Sequence, residues 1–406
     1  MADSPSPPQA DSTPEPTTRQ ERVFDRIWTQ LPAQQNPTSS SWWFFILFPE
    51  GEDGFGPRQM MFSIAARVGD QLRVNDVTLP GMDLDREIEG GVDEFDVISV
   101  GWDGDDERID ERIVNQPARA TLSADGSIEA WTETEDGERR GSAIRASEDR
   151  PLGLEAEFAG EKGSVSFEAS GDLDSATTAP VQSMDMDTPL GGADVVAFRQ
   201  MHFEGEFDLP AGTETLEGSC YFQRVCFNVP LYPWKWVWAV FPNGAAFSAI
   251  IPFLGPHVLR EGYDFYESDA LERATIPFRT SGFFSPADGG DVVRFDDISI
   301  EPVLEADTAT VAPDADHADG DAHPDFVVEV SNDDGNFVEF TASTYGHARN
   351  YIDRPLLGGR MESHWSYNEY LFEMTDLDGR VRDQHLSSDT MGDAYGTLEY
   401  STGLGL

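Results

Sequence analysis

The sequence predicts an all-β protein built as two tandem antiparallel β-barrels, with an N-terminal helix and a disordered tail. Three observations lead there. Beyond residue 40, segments such as "ARATLSADGSIEAWTE" and "FVVEVSNDDGNFVEFTAS" alternate apolar and polar residues around Asp-Gly turns, the pattern of antiparallel hairpins. Long helical periodicity is hard to find. An apolar segment also recurs: "WFFILFPEG" (43–51) and "WVWAVFPNG" (236–244) share the pattern W-x-[FW]-x-[LV]-F-P-x-G. The copies lie roughly 190 residues apart, about the length of one barrel domain, so duplication is the natural inference.

In chain order, residues 1–20 are rich in Pro, Ser, Thr and acidic residues and read as a disordered tail. "ERVFDRIWTQL" (21–31) is the best helix candidate, with Val23, Phe24, Ile27 and Leu31 on one face. The first barrel is expected over 21–195 and the second over 196–406, with their junction between 172 and 215. Within that junction, 172–192 reads as a linker, and 196–209 with 216–229 as a long hairpin. The stretch 305–326 reads as a solvated acidic loop. Trp42 to Phe48 are all large and apolar, so both faces of that strand need burial, one in a lumen and the other against a helix or the other barrel. Trp234, Trp236 and Trp238 form a stripe that serves equally as a cavity wall or as ordinary core.

Composition excludes several classes. The 406 residues hold 76 acidic and 27 basic side chains, a formal net charge of −49, and Lys162 and Lys235 are the only lysines. Acidity spread along the whole length reads as adaptation to molar salt, where a Debye length of roughly 3 Å screens self-repulsion. Nucleic-acid binding is excluded for want of basic clusters. No stretch is long and apolar enough for a transmembrane segment and no signal peptide is recognisable, so the expectation is a soluble cytoplasmic protein of a high-salt organism. P-loop, nucleophile-elbow, zinc-protease and dinucleotide signatures are absent. The seven histidines lack metal-ligand spacing and "DADHADGDAH" lacks the EF-hand spacing, so neither a metal nor a cofactor is expected. If Cys220 and Cys226 share one strand they are about 20 Å apart, too far for a disulfide, and read as core thiols.

Two segments resemble a known family. "SWWFFILFPEGEDGFGPRQMMF" is similar to the opening segment of the AttH and carotenoid 1,2-hydratase family, and "LEGSCYFQRVCFNVPLYPWKWVWAVF" to its central segment, in particular to the tocopherol-cyclase branch. The matching positions of the central segment are Gly218, Tyr221, Pro233, Lys235, Trp236 and Trp238. The resemblance implies tandem lipocalin-like barrels. It departs at the family's acidic positions, occupied here by Ser41 and Gln223, and an amide cannot donate the proton that the hydratases give to a double bond. "HWSYNEYLF" offers a replacement, Glu369 with Tyr367 and His364 as polar support, because a carboxyl in an aromatic, desolvated site has a raised pKa.

Three functions follow from these residues. The first is a binding protein holding a hydrophobic small molecule (an isoprenoid, carotenoid or lipid) against Trp42, Trp43, Tyr221, Gln223, Trp236 and Trp238. Which of Trp42 and Trp43 faces inward stays open. The second is a hydratase or cyclase that protonates an isoprenoid double bond, with Glu369 as acid. The third is a structural protein without ligand. A cavity above ~300 Å³ counts against the third reading, and a buried carboxyl pointing into it favours the second.

Overall fold

Side chains alternate along nearly every segment, and the described residues form 25 strands. The computed structural model describes residues 23–29, 39–51, 54–83, 88–150, 152–171, 180–188, 191–227, 233–254, 276–277, 280–287, 290–303, 324–356 and 359–403. The expected tail, Leu31 of the expected helix and most of the acidic loop lie outside these residues.

The first sheet begins with β1 (Ser40–Gly51), β2 (Gly54–Phe55) and β3 (Gln59–Arg67). A small hairpin, β4 (Leu72–Val74) and β5 (Val77–Leu79), follows in the chain but pairs into the second sheet. Then come β6 (Val92–Gly104), β7 (Ile109–Ser123), β8 (Ser127–Glu133), β9 (Arg139–Ala146), β10 (Gly153–Ala159) and β11 (Ser164–Ser170). The expected linker contains β12 (Pro180–Thr188), and the long hairpin is β13 (Gly191–Leu209) with β14 (Gly212–Phe227). The order β11-β10-β9-β8-β7-β6-β3-β1-β14-β13, with β11 also paired to β13, closes a ten-stranded antiparallel barrel. The long hairpin therefore completes the first barrel instead of opening the second.

The second sheet holds β15 (Trp234–Val240), β16 (Ala246–Leu254), β17 (Ile276–Pro277), β18 (Ser281–Ser285), β19 (Val293–Phe295) and β20 (Asp297–Pro302). It continues with β21 (Phe326–Ser331), β22 (Phe337–Leu356), β23 (Met361–Val381), β24 (Gln384–Ser387) and β25 (Ala394–Gly403). Its order is β19-β18-β16-β15-β25-β23-β22-β21-β20. The two end strands are consecutive in the chain, joined through Asp296, so the sheet curls round its own core.

Each unit has an apolar interior. Trp43, Phe45, Leu47, Phe62, Phe95, Phe158, Phe198 and Phe203 fill the first lumen. The expected helix is a single turn over 23–25 followed by a 3-10 turn, Arg26–Trp28. It seats Val23, Phe24, Ile27 and Trp28 in that lumen, and the Ile27 carbonyl accepts a 3.3 Å hydrogen bond from Trp43 Nε1. Cys220 and Cys226 are free, buried core thiols.

The opposite face of β1 explains its double apolarity. Phe44, Ile46 and Phe48 pack against Trp236, Trp238, Val240 and Leu371 of the second unit, with Phe48 and Trp238 edge to face at 5.0 Å. Burial of such side chains contributes about 1.5–3 kcal/mol each. The repeated segments occupy these two facing strands, but their aligned residues point opposite ways. Trp43 and Phe45 face their own lumen, whereas Trp236 and Trp238 face the other barrel. With a period of two, an offset of one residue inverts every side chain, so the two segments match as words and not as positions.

Candidate functional site between the two sheets

The interface between the units is apolar except for one cluster of acids. Alternation along β23 sends Trp365, Tyr367, Glu369 and Leu371 towards the first barrel, while Tyr370 and Phe372 enter the second core. In the β23–β25 register Glu369 lies directly opposite Glu399, which places both carboxyls side by side on the same face. Both are buried. Tyr367 donates its hydroxyl proton to Glu399 Oε1, and Trp234 Nε1 donates to Glu399 Oε2 at 2.7 Å. From the other unit Trp102 Nε1 donates to Glu369 Oε2. Gly101, beside Trp102, leaves room on the lumen side of β6 for Phe62, whose ring a Cβ there would meet at 2.5 Å. Glu369 Oε1 is buried with no hydrogen-bond partner among the described residues.

These surroundings disfavour ionisation. Burial, then the neighbouring Glu399 charge, pushes Glu369 up to about 8. Burial pushes Glu399 up to about 7 against the hydrogen bonds from Tyr367 and Trp234. Burial also raises the Tyr367 hydroxyl, helped by the two carboxyls. Two neighbouring buried carboxyls cannot both ionise cheaply, so the pair retains a proton near neutrality, and its titration belongs to the pair.

Glu399 and Tyr367 stand on the wall of a cavity of about 110 Å³ between the sheets. Its aromatic walls are Trp42, Phe44, Trp234, Trp365 and Tyr367, with Trp42 and Trp234 stacked at 6.2 Å and Trp234 and Trp365 tilted at 55° with centroids 4.9 Å apart. Polar groups line another part: Ser40, Ser63, Arg67, Gln223 and Asn350. At about 110 Å³ the cavity falls short of the ~300 Å³ that would count against a structural protein without ligand, and it is the carboxyl on its aromatic wall that speaks for chemistry.

Of the residues expected at a site, Trp42 and Gln223 line this cavity, and Tyr367 faces it with Glu369 just behind. Trp43 does not: it is stacked on Phe95 at 6.4 Å inside the first lumen. Trp236 and Trp238 pack on Tyr221 at 5.1 and 5.2 Å in the apolar part of the interface, away from the cavity wall. The Tyr221 hydroxyl donates to Gln223 Oε1 at 3.1 Å. The side chain of His364 lies outside those described. The ligand wall expected inside a barrel lumen is thus distributed differently, with lumen residues in a filled core and the cavity between the units.

Glu399, Trp102 and Trp365 had no distinguishing signal in the sequence. A single glutamate among 76 acids carries none, although "GTLEYSTG" does place Thr397, Glu399 and Ser401 on one face of a strand. Among the described residues no group of three or more His, Cys, Asp or Glu is placed to hold a metal ion. No described helix is long and apolar enough to cross a membrane.

No family model and no curated protein matches the chain. Among solved structures it is similar to an AttH candidate from Nitrosomonas europaea, at 12% identity and a TM-score of 0.44, over 89% of this chain and 92% of that one. It is also similar to kievitone hydratase from Nectria haematococca, at 13% identity and a TM-score of 0.43, over 91% of each chain.

Proposed function

We propose that the chain is an acid–base enzyme that takes an apolar, unsaturated small molecule into the cavity between its two units and protonates a carbon–carbon double bond, as a hydratase or a cyclase. The observation that carries this reading is the carboxyl pair Glu369–Glu399, buried, retaining a proton near neutrality and joined by Tyr367 to an aromatic-walled cavity. The two sequence segments that resemble the carotenoid hydratase family lack its acids, at Ser41 and Gln223, so the proton in this reading comes from a different carboxyl pair.

In this reading the proton passes to the substrate carbon from the cavity wall, where Glu399 and Tyr367 stand, and Glu369 holds the reserve proton behind them. The π electrons of the double bond form the new C–H bond and leave a tertiary carbocation. The faces of Trp42, Trp234 and Trp365 stabilise that cation through their quadrupoles. Water, or a hydroxyl of the substrate itself, then attacks the cation, and its surplus proton returns to the carboxylate. A general acid of this kind contributes roughly 10²–10⁴-fold.

Binding without chemistry is the second reading. It is favoured by one observation: both Glu399 oxygens already accept hydrogen bonds, as in a structural carboxylate. Incubation with acyclic isoprenoid alcohols and hydrocarbons in D₂O, followed by mass spectrometry, separates the two. The enzyme gives a hydrated or cyclised product carrying one non-exchangeable deuterium on carbon, and Glu399→Gln abolishes it. Recovery of every compound unchanged supports binding alone.

A further inference from the structure

We propose that the molecule taken up by this cavity is amphipathic, an unsaturated chain ending in a carboxylate, whose head is held by Arg67 with Ser40, Ser63 and Asn350 while its chain runs under the tryptophans to Glu399. This rests on the acid–base reading above and adds the substrate class.

Register places the head group's partners together. Ser40 and Arg67 are direct cross-strand partners in the β1–β3 ladder, and Ser63 follows two turns of the pleat along the same face of β3. All three are buried and line the cavity, and Asn350 faces them from β22. The Ser40 hydroxyl is buried without a hydrogen-bond partner among the described residues, an arrangement that costs stability unless a ligand oxygen supplies the missing bond. Arg67 is 4% exposed, and Arg354 of the second unit stands close enough for its charge to bear on the Arg67 guanidinium. Asp70 lies beside Arg354 and offsets part of this charge. An arginine fork at a cavity wall, with a second guanidinium behind it, matches the geometry and sign of a carboxylate.

The dimensions and the far wall point the same way. Cavity-lining residues on β3 run from Met61 to Arg67, roughly 20 Å at the rise of a strand, so the space is long and thin. Glu399, the carboxyl on the wall, accepts from Tyr367 and Trp234 at the other end of the lining. One molecule can therefore meet the cation with its head and the acid with a double bond.

The test compares geranic acid with geraniol, two ten-carbon isoprenoids that differ only in the head, by isothermal titration calorimetry on the full chain. The wild-type protein is expected to bind the acid roughly 10–100-fold more tightly than the alcohol. Arg67→Met should remove that preference by weakening the acid far more than geraniol, while Arg67→Lys, which keeps the charge and loses the fork, should retain part of it. Equal affinity for the two heads in the wild-type protein overturns the proposal whether or not any variant folds. So does an Arg67→Met variant that weakens both ligands alike, and so does binding of neither. Failure here leaves deuterium incorporation from D₂O untouched, and failure of the acid–base reading leaves the head preference untouched, so the two are told apart.

Discussion

Replacing Glu369 by glutamine should change how stability depends on pH. Glu369 has an ordinary value of 4.5 and is pushed up to about 8 in the folded chain, with burial the first cause. Between those values the folded state holds a proton that the unfolded state has released, so stability falls as pH rises through this window and levels off above about 8. At 1.36 kcal/mol per unit the ceiling on that fall is on the order of 5 kcal/mol, reduced where water entering the cavity solvates the charge. Glutamine keeps a carbonyl to accept from Trp102 Nε1 and does not titrate. The variant should therefore lose most of the decline and become more stable than the wild type at pH 8, with the two closest together below pH 4.5. Guanidinium unfolding at a series of pH values, at constant high salt, reads this out. Parallel curves for wild type and variant would refute the reasoning, since they would mean that Glu369 ionises in the folded chain as it does in water.

Further perturbations follow from the same structure. Turnover should fall as pH rises through about 8, where the carboxyl pair gives up its proton, and a flat profile would remove the pair from the proton step. Tyr367→Phe removes the hydroxyl that joins Tyr367 to Glu399, and should lower the rate of product formation while leaving ligand affinity within a few-fold, as measured by single-turnover kinetics. Trp43→Ala empties part of the first lumen and should cost about 3–5 kcal/mol in chemical unfolding without altering the cavity between the units. With a net charge of −49, the folded state should lose circular-dichroism signal as KCl is lowered from molar to ~0.01 M, where the Debye length grows to roughly 30 Å.

Much of the fold was legible because a strand's period of two is written directly into the sequence. The double apolarity of Trp42 to Phe48 called for burial on both faces, and β1 does line one lumen while packing against the second unit. The curl of both sheets is set by pairings between strands remote in sequence, such as β1 with β14, which no local pattern contains. That pairing is why the hairpin β13–β14, read as part of the second barrel, closes the first. The direction of the tryptophan stripe was invisible for a related reason. Parity groups Trp234, Trp236 and Trp238 on one face, but only tertiary packing decides that this face meets the other barrel and not its own lumen. Glu369 and Tyr367 could be singled out because they form another Tyr-x-acid in place of the family acid lost at Gln223, with both side chains on one strand face. Glu399 could not, since its role arises from lying across the ladder from Glu369.

The most direct test of the account is the infrared spectrum of the folded protein in the carboxyl region as a function of pH. A proton retained by Glu369 and Glu399 should give a carboxylic-acid C=O stretch that persists at pH 7, disappears as pH rises past about 8, and is weaker at neutral pH in Glu369→Gln, where only Glu399 can carry it. Loss of every protonated-carboxyl band by pH 5 in the wild-type protein would show the pair fully ionised at neutrality, and would contradict the claim that this site donates a proton.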